Sequence, residues 1–342
     1  MRSRIKRLFL SCMVMFLLFT LLTGCAERND WKKAQQGNSV KAYEDYIKQY
    51  PDGKFVEKAK AAVEKMEWEQ ALATNTPGAF LTFMKKYPKS NYAAQAKAEV
   101  DKLIMPMGKD GAYMTLIQGG EFEMGCSDGL ANEQPVHKVN LKPFYIDIYE
   151  VANAQYQKFV DETNYKRPNH WSDPLMSASS QPVVMVTWYD AIEYCKWAGK
   201  RLPTEAEWEK AARGGLIGSI YPWGDKITRA DANYYGVDGK DFWERTATVG
   251  STMPNGYGLY EVVGNAEEWC ADHYGETYYK ESPSENPAGP QSGKYYVVRG
   301  GSWGDEYRVQ RDFALRIAMR RYADPYEATM YTGFRCVMDV EE

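Results

Sequence analysis

The sequence is poor in histidine, has no phosphate-binding loop and carries no excess of positive charge. Its 342 residues include only 3 histidines, without the His-x-His or His-Glu-x-x-His spacing that builds zinc or iron centres, so we expect no such centre. No Gly-x-x-x-x-Gly-Lys-Ser/Thr segment is present, which argues against a P-loop nucleotide site. The 42 basic side chains are outnumbered by 46 acidic ones, giving a formal net charge of −4. Because nucleic-acid binding needs an electropositive surface, we expect no nucleic-acid partner.

Outside the N-terminus, no stretch of the chain is apolar enough to suggest a membrane span. Met1–Arg7 is basic, and Leu8–Leu22 is an apolar run of 15 residues, which is typical of a signal peptide. The run ends in Leu22-Thr23-Gly24-Cys25, which resembles the bacterial lipobox. We predict a lipoprotein signal peptide over residues 1–24 and acylation of Cys25, an ordinary signal peptide being the alternative. By the same resemblance, Ala26 favours the outer membrane, so we expect an envelope protein attached to the membrane through the lipid anchor only.

Residues 25–106 contain an internal repeat. A shift of 37 residues superposes Trp31 on Trp68 and Tyr50-Pro51 on Tyr87-Pro88, and apolar residues recur at helical spacing in both copies. The pattern resembles the tetratricopeptide-type helical hairpins of bacterial envelope lipoproteins. We predict an all-α segment that serves either as a spacer or as a partner-docking surface, and both alternatives stay open.

From residue 107 to residue 342, glycine, tryptophan and short irregular segments replace the repeat. Phe144–Ile148 alternates as a strand does, and a helix is predicted from a cap at Thr187 to a stop at Gly199. Few other regular elements can be placed. These features indicate a compact α+β domain with little regular secondary structure.

A second helix is predicted to begin at a capping box and to end at Gly214. The box consists of Thr204 and, three residues later, Glu207. Glu205, Glu207 and Glu209 could suggest acid–base chemistry. Their place in a capped helix favours instead a cap and a solvated helix face.

Seven motifs follow one another in this C-terminal part. They are Ile117–Gly125, Glu150–Tyr156, Gly199–Glu209, Asn255–Tyr260, Gly264–Trp269, Arg299–Trp303 and Gly333–Cys336. In this order they resemble the formylglycine-generating enzyme (sulfatase-modifying factor) family over about residues 110–340. The resemblance implies an α+β fold related to C-type lectins, with small twisted sheets, few helices and long loops pinned by calcium.

The cysteines bear on both stability and chemistry. The resemblance implies a disulfide between Cys195 and Cys336, and an exported domain permits one. Whether Cys126 and Cys270 pair stays open.

Active members of the family carry two further cysteines that bind copper(I) and activate oxygen. Asp305 and Gln310 stand at the matching positions, and no cysteine lies between residues 270 and 336. Because copper(I) needs soft sulfur ligands, we expect neither a copper site nor the oxidase activity.

The resemblance also implies two structural calcium sites. The first would use Asn233, Tyr234, Asp241 and Trp243. The second would use Val263, Gly264, Ala266 and Glu268.

The function that we predict is binding rather than oxidation. The resemblance implies a ligand groove lined by Arg299, Ser302, Trp303, Tyr307 and Arg320. A peptide or protein of the cell envelope is the first candidate ligand and a glycan is the second. The alternative is an enzyme, either an oxidase of the formylglycine-generating type or an accessory factor for sulfatase maturation.

The lipobox resemblance makes a direct prediction about Cys25. When the protein is expressed in a bacterium, it should incorporate labelled palmitate and partition into detergent, because we expect Cys25 to be acylated. The Cys25→Ala variant should do neither. Label retained by the variant would refute the lipid anchor.

Overall fold

The computed structural model describes residues 26–236, 243–305 and 314–340. These residues form two compact units: one consists of residues up to 75 together with 83–93, and the other of residues 76–82 together with 94 onwards. No helix in these ranges is long and apolar enough to cross a membrane. Cys25, Asp241, Tyr307 and Gln310 lie outside the described residues.

Five helices precede the first strand in the described part of the chain. They are α1 (residues 26–37), α2 (Val40–Gln49), α3 (Val56–Thr74), α4 (Pro77–Lys86) and α5 (Ala93–Leu103). The hydroxyl of Ser39 caps α2 by accepting a hydrogen bond from the Ala42 N–H at 3.2 Å. Pro51 follows the end of α2, and proline does not continue a helix.

The helices repeat with the spacing that the sequence shows. Helices α2 and α4 have the same length and begin 37 residues apart. Trp31 stacks on Phe55 with ring centroids 5.3 Å apart, and Trp68 stacks on Tyr92, each 37 residues later, at the same distance. The repeat is therefore real in helices and in aromatic packing, whereas its relation to tetratricopeptide hairpins stays a prediction.

Ten strands are described in the rest of the chain, in three small sheets. They are β1 (Ile104–Met107), β2 (Ala112–Ile117), β3 (Gly120–Met124), β4 (His137–Leu141), β5 (Phe144–Asp147), β6 (Glu267–His273), β7 (Tyr296–Arg299), β8 (Arg321–Ala323), β9 (Thr332–Gly333) and β10 (Val337–Asp339). The sheet orders are β1-β2-β5-β10, β3-β4 and β8-β7-β6-β9. All pairs are antiparallel except β6 with β9.

Three helices accompany the sheets: α6 (Asn153–Thr163), α7 (Trp188–Ala198) and α8 (Glu205–Arg213). The predicted ends of the last two are confirmed. Thr187 caps α7, which stops at Gly199 in the left-handed conformation. Thr204 and Glu207 form the capping box of α8, which stops at Gly214.

Two large buried clusters form most of the core of these sheets and helices. One includes Phe144 and Ile146 of β5 with Trp208 of α8. The other includes Tyr194 of α7 and Trp269 of β6. The predicted α+β architecture, with N-terminal helices followed by small sheets, is thus confirmed.

Irregular chain joins α8 to β6. The described residues 214–236 and 243–266 contain no helix or named strand. The Asn255 side chain donates hydrogen bonds to the carbonyls of Ala211 and Ala212 at the end of α8, at 2.7 and 3.0 Å, and accepts from Tyr257 and Leu259. In this segment a side-chain amide thus makes the hydrogen bonds to backbone groups that neighbouring strands would make in a sheet.

Candidate functional site

The segment Arg299–Trp303 leaves β7 through two glycines in the left-handed conformation. Gly300 has φ +90°, and a Cβ there would lie 3.0 Å from the Val262 carbonyl oxygen. Only glycine fits such a path without strain. The turn after these glycines places Ser302 and Asp305. By the family resemblance, Ser302 belongs to the ligand groove and Asp305 stands where active members have a copper-binding cysteine.

Asp305 is buried and fully engaged by its neighbours. One carboxylate oxygen accepts hydrogen bonds from the backbone N–H and the hydroxyl of Ser302, the latter at 2.9 Å. The other oxygen accepts from Arg321 at 2.7 Å, and Arg321 also pairs with Glu267 at 3.0 Å. A structural ion pair therefore occupies the position that the family resemblance gives to a copper-binding cysteine.

The predicted ligand groove needs correction. Arg299 and Arg320 were predicted to line it, but both are buried in ion pairs, and Ser302 is buried against Asp305. Of the predicted lining, Trp303 remains partly exposed, and Tyr307 lies outside the described residues. The reason is electrostatic: each guanidinium group meets a carboxylate of α8 inside the domain.

Trp303 is held by backbone contacts on both sides. Its N–H donates to the Asn265 carbonyl at 2.9 Å, and its indole N–H donates to the Met330 carbonyl at 3.1 Å. The Tyr331 ring lies 5.0 Å away, and the Arg245 guanidinium lies 6.0 Å from the indole ring. The partly exposed surface of this region is thus aromatic with a cation beside it.

Neither Tyr331 nor Arg245 was predicted as part of a site. Tyr331 comes two residues before the Gly333–Cys336 motif, which is the one sequence signal that could have drawn attention to it. Arg245, which pairs with Asp173, lies in an irregular segment whose place in the fold no periodicity reveals.

The glutamates of α8 also differ from the prediction. Glu205, Glu207 and Glu209 do not form a solvated face; all three are buried. Glu207 keeps its predicted capping role and accepts two hydrogen bonds from Arg201, each at 2.7 Å. Burial is possible because arginine from other segments neutralises each carboxylate.

Two of these glutamates share one arginine. Arg299 donates to Glu205 at 2.6 Å and to Glu209 at 2.7 Å. Arg320 also binds Glu205 through both carboxylate oxygens, and Arg213 binds Glu209 at 2.6 Å. We call these five side chains the α8 ion network.

The network shifts the ionisation of its carboxylates. Burial alone would raise the pKa of Glu209, but Arg213 and Arg299 outweigh it and lower the pKa to about 2. The pKa of Glu205 is also lowered, because Arg320 and Arg299 overcome the effect of its burial. Both groups therefore stay charged at neutral pH, which does not suit a general acid.

The first predicted calcium set contains a suitable unpartnered oxygen. The side-chain oxygen of Asn233 is buried and accepts no hydrogen bond from the residues that the structure describes, while its amide nitrogen donates to the Arg245 carbonyl at 2.8 Å. The Tyr234 carbonyl accepts from Arg229 at 2.7 Å. Amide and carbonyl oxygens are the ligands that calcium takes, so Asn233 fits the predicted role.

The second predicted calcium set does not fit. Both carboxylate oxygens of Glu268 accept hydrogen bonds from Arg335, and one also accepts from the Trp208 indole at 2.8 Å. A guanidinium group already neutralises this carboxylate, which removes the side-chain ligand from the set of Val263, Gly264, Ala266 and Glu268. Nor does the described chain hold any cluster of three or more histidine, cysteine or acidic side chains placed to bind a metal.

The four cysteines of the domain occupy different surroundings. Cys195 and Cys336 are buried, and their sulfur atoms lie 3.2 Å apart without a bond between them. The two cysteines are thus close neighbours in the fold, and the disulfide between them stays a prediction. Cys270 is buried, and its burial raises the pKa of the thiol. Cys126 is partly exposed, and its thiol donates to Asp128 at 3.0 Å.

Comparison with known proteins decides the family. The model of the sulfatase-modifying factor enzyme 1-like domain matches residues 100–340. The chain belongs to this family. The formylglycine-generating enzyme of Streptomyces coelicolor is 36% identical over 282 residues, which cover 66% of this chain and 88% of that enzyme.

Other similar proteins are longer than this domain or have names that describe other proteins than a formylglycine-generating enzyme. The serine/threonine-protein kinase pkn1 of Chlamydia pneumoniae is 39% identical over 246 residues, covering 66% of this chain but 38% of the kinase. The chain thus spans well under half the length of this relative. The solved structure of PvdO from Pseudomonas aeruginosa superposes with a TM-score of 0.61 at 28% identity, covering 69% of this chain and 98% of PvdO.

The α8 ion network makes stability depend on Glu209. The folded pKa of about 2, against an ordinary 4.5, corresponds to about 3 kcal/mol of stability, present above pH 4.5 and lost as the pH falls toward 2. Glu209→Gln should lower the free energy of unfolding by about 3–5 kcal/mol at neutral pH, because buried Arg213 loses its carboxylate partner and buried Arg299 loses one of its two. It should also flatten the acid dependence, measured by urea unfolding.

Glu193→Gln is the matched control for this change. Glu193 is half-exposed and pairs with Lys196 one turn along α7, so its loss should cost less than about 1 kcal/mol. Equal destabilisation by both variants would contradict the role assigned to the network.

Proposed function

We propose that this protein is a lipid-anchored binding protein of the bacterial envelope, whose sulfatase-modifying-factor domain recognises a peptide or protein without oxidising it. The observation that carries the proposal is Asp305. Its carboxylate bonds Ser302 and pairs with Arg321, so this position serves the fold rather than a metal.

The chemistry of copper supports the same conclusion. Oxidation of a cysteine by the family's oxidases depends on two thiolates that hold copper(I). The chain has no cysteine from residue 271 to residue 335, and carboxylate and amide oxygens are hard ligands. A binding role does not need the missing pair.

Relatives of this chain are named for different activities. A Bos taurus relative, 34% identical over 275 residues and covering 87% of that protein, is named inactive C-alpha-formylglycine-generating enzyme 2. The name of the kinase pkn1 describes another activity for a protein that also contains this domain. By analogy, a member without oxidase chemistry has precedent.

The surface around Trp303 is where we place the ligand. Trp303 and Tyr331 offer partly exposed rings, and Arg245 adds a cation at the edge of the indole. Such rings bind with little loss of side-chain entropy, and a peptide chain offers the apolar and carbonyl groups that they contact. A glycan is the second candidate, since the same rings suit sugar faces.

The location follows from the N-terminal sequence. Acylation at Cys25 would attach the protein to the outer membrane, and α1 is already helical at residue 26. The helices between the anchor and the first strand would then act as a spacer or as a second docking surface.

We further propose that one calcium ion stabilises the irregular segment before β6. Asn233 would supply its side-chain oxygen, which has no partner among the described residues, with the carbonyls of Tyr234 and Trp243 and the carboxylate of Asp241 as predicted partners. When bound, such an ion would hold these oxygen atoms of the irregular segment together by its charge. The oxidase alternative predicts aldehyde formation by this protein itself, and an accessory factor for sulfatase maturation is the other alternative.

The mature protein, loaded with copper(I) and given a sulfatase-type cysteine peptide, should form no aldehyde above a protein-free control, because no thiolate pair holds the metal. Aldehyde is measured by mass spectrometry of the peptide. The Streptomyces coelicolor enzyme serves as the positive control. Catalytic turnover by this protein would overturn the binding proposal.

Removal of calcium should lower the melting temperature, because an ion bound only to the folded state stabilises it. With calcium at 100 times its dissociation constant, the effect is about 2.7 kcal/mol, or roughly 5–10 °C for a domain of this size. Asn233→Ala should abolish the difference between chelated and calcium-loaded protein.

Glu268→Gln is the control that separates the two predicted sites. It breaks the pair with Arg335 and should lower the melting temperature in both conditions, while the calcium-dependent difference persists. If Glu268→Gln removed the difference and Asn233→Ala retained it, calcium would belong to the second site instead.

A further inference from the structure

Two solvent-exposed tyrosines from distant parts of the chain meet at the surface of the domain. Tyr189 lies in the first turn of α7, and Tyr326 follows β8, 137 residues later. Their ring centroids are 4.9 Å apart, and their hydroxyl oxygens are 3.4 Å apart. Tyr189 is 40% exposed and Tyr326 is 75% exposed, so solvent and small oxidants reach both rings.

The backbone holds the two rings in this position. The residues directly before them are hydrogen-bonded, Trp188 N–H donating to the Pro325 carbonyl at 3.2 Å. The backbone N–H of Tyr326 donates to the Asp324 side chain at 3.0 Å, which fixes the turn. Because these hydrogen bonds already hold the two residues next to each other, joining their rings would cost little further conformational entropy of the folded chain.

Other aromatic side chains lie behind the pair. The Trp188 ring lies 5.3 Å from Tyr189 and stacks on Tyr296 at 4.0 Å. Tryptophan and tyrosine are the side chains most easily oxidised by one electron, and rings in contact pass the electron vacancy between them. An oxidising event at any of these rings can therefore end as a radical at the exposed pair.

From this geometry we propose that Tyr189 and Tyr326 form an oxidative cross-linking site, at which hydrogen peroxide and a haem peroxidase convert the two phenols into one dityrosine. Each phenol loses one electron and one proton, and the two radicals join through the ring carbons next to their hydroxyl groups. The hydrogen on each joined carbon then returns to the phenolic oxygen. Peroxide accepts the two electrons and two protons and leaves as two molecules of water.

The cross-link would fasten the start of α7 to the segment that follows β8. Such a covalent tie closes a loop of 137 residues and restricts the unfolded chain much as a disulfide does. It would differ from the predicted Cys195–Cys336 bridge in being resistant to thiol reductants.

The test treats the purified mature protein, at a concentration too low for dimer formation, with hydrogen peroxide and a haem peroxidase. The monomer should lose two hydrogen atoms in intact mass and gain dityrosine fluorescence. A peptide map should contain one linked species that joins the peptide of residue 189 to that of residue 326. Measured in the presence of a thiol reductant, the melting temperature of the cross-linked monomer should be higher than that of the untreated protein.

Variants decide whether the geometry is responsible. Tyr189→Phe and Tyr326→Phe should each abolish the linked peptide, because phenylalanine has no phenolic hydrogen to lose. The matched control is Tyr322→Phe, since Tyr322 is 52% exposed and its ring lies 4.6 Å from Tyr274 and 4.9 Å from Tyr295. That variant should keep the cross-link.

Three outcomes would overturn the proposal. They are cross-linking through Tyr322 in place of the pair, an oxidised monomer without dityrosine, and dityrosine found only between molecules. The fluorescence and melting of untreated variants show whether each one is folded before the reaction, so a folding defect is not mistaken for a lost site.

Discussion

The C-terminal domain depends on the contact between Arg299 and the two glutamates Glu205 and Glu209. One guanidinium group bridges two carboxylates on successive turns of α8, and all three side chains are buried. Buried charges are stable only when they are paired and hydrogen-bonded, so the helix, β7 and the segment around Arg320 must meet in one arrangement. Much of the chain around this contact has no regular secondary structure of its own.

The same contact connects stability to the candidate site. Arg299 is the residue directly before the two glycines that lead to Ser302 and Asp305, so its fixed position sets where that turn begins. Asp305 then ties the turn to Arg321 of β8. The turn at Asp305, where the family resemblance puts one of the two cysteines, is therefore an extension of the ion-paired interior.

The N-terminal helices are held by different forces. Trp31 and Trp68 each stack on an aromatic ring of their own repeat, and the ion pairs recorded on these helices lie largely at the surface. Aromatic burial supplies most of the stabilisation there, because exposed ion pairs contribute little. The repeat can therefore be recognised from a few ring positions in the sequence, whereas the ion pairs inside the C-terminal domain cannot.

By itself the sequence determined the local elements and the family. The caps at Thr187 and Thr204 and the stop at Gly214 were predictable, because each depends on residues within a few positions of one another. The 37-residue repeat was predictable because the same residue types recur at one fixed spacing. The ordered motifs were enough to indicate the fold. Only the tertiary structure decided which charges are buried: Glu205 and Glu209 were assigned to solvent, and Arg299 and Arg320 to a groove. Apart from Arg213, which pairs with Glu209 four residues away on α8, their partners lie some 90 residues or more away along the chain, and no periodicity encodes such a pairing.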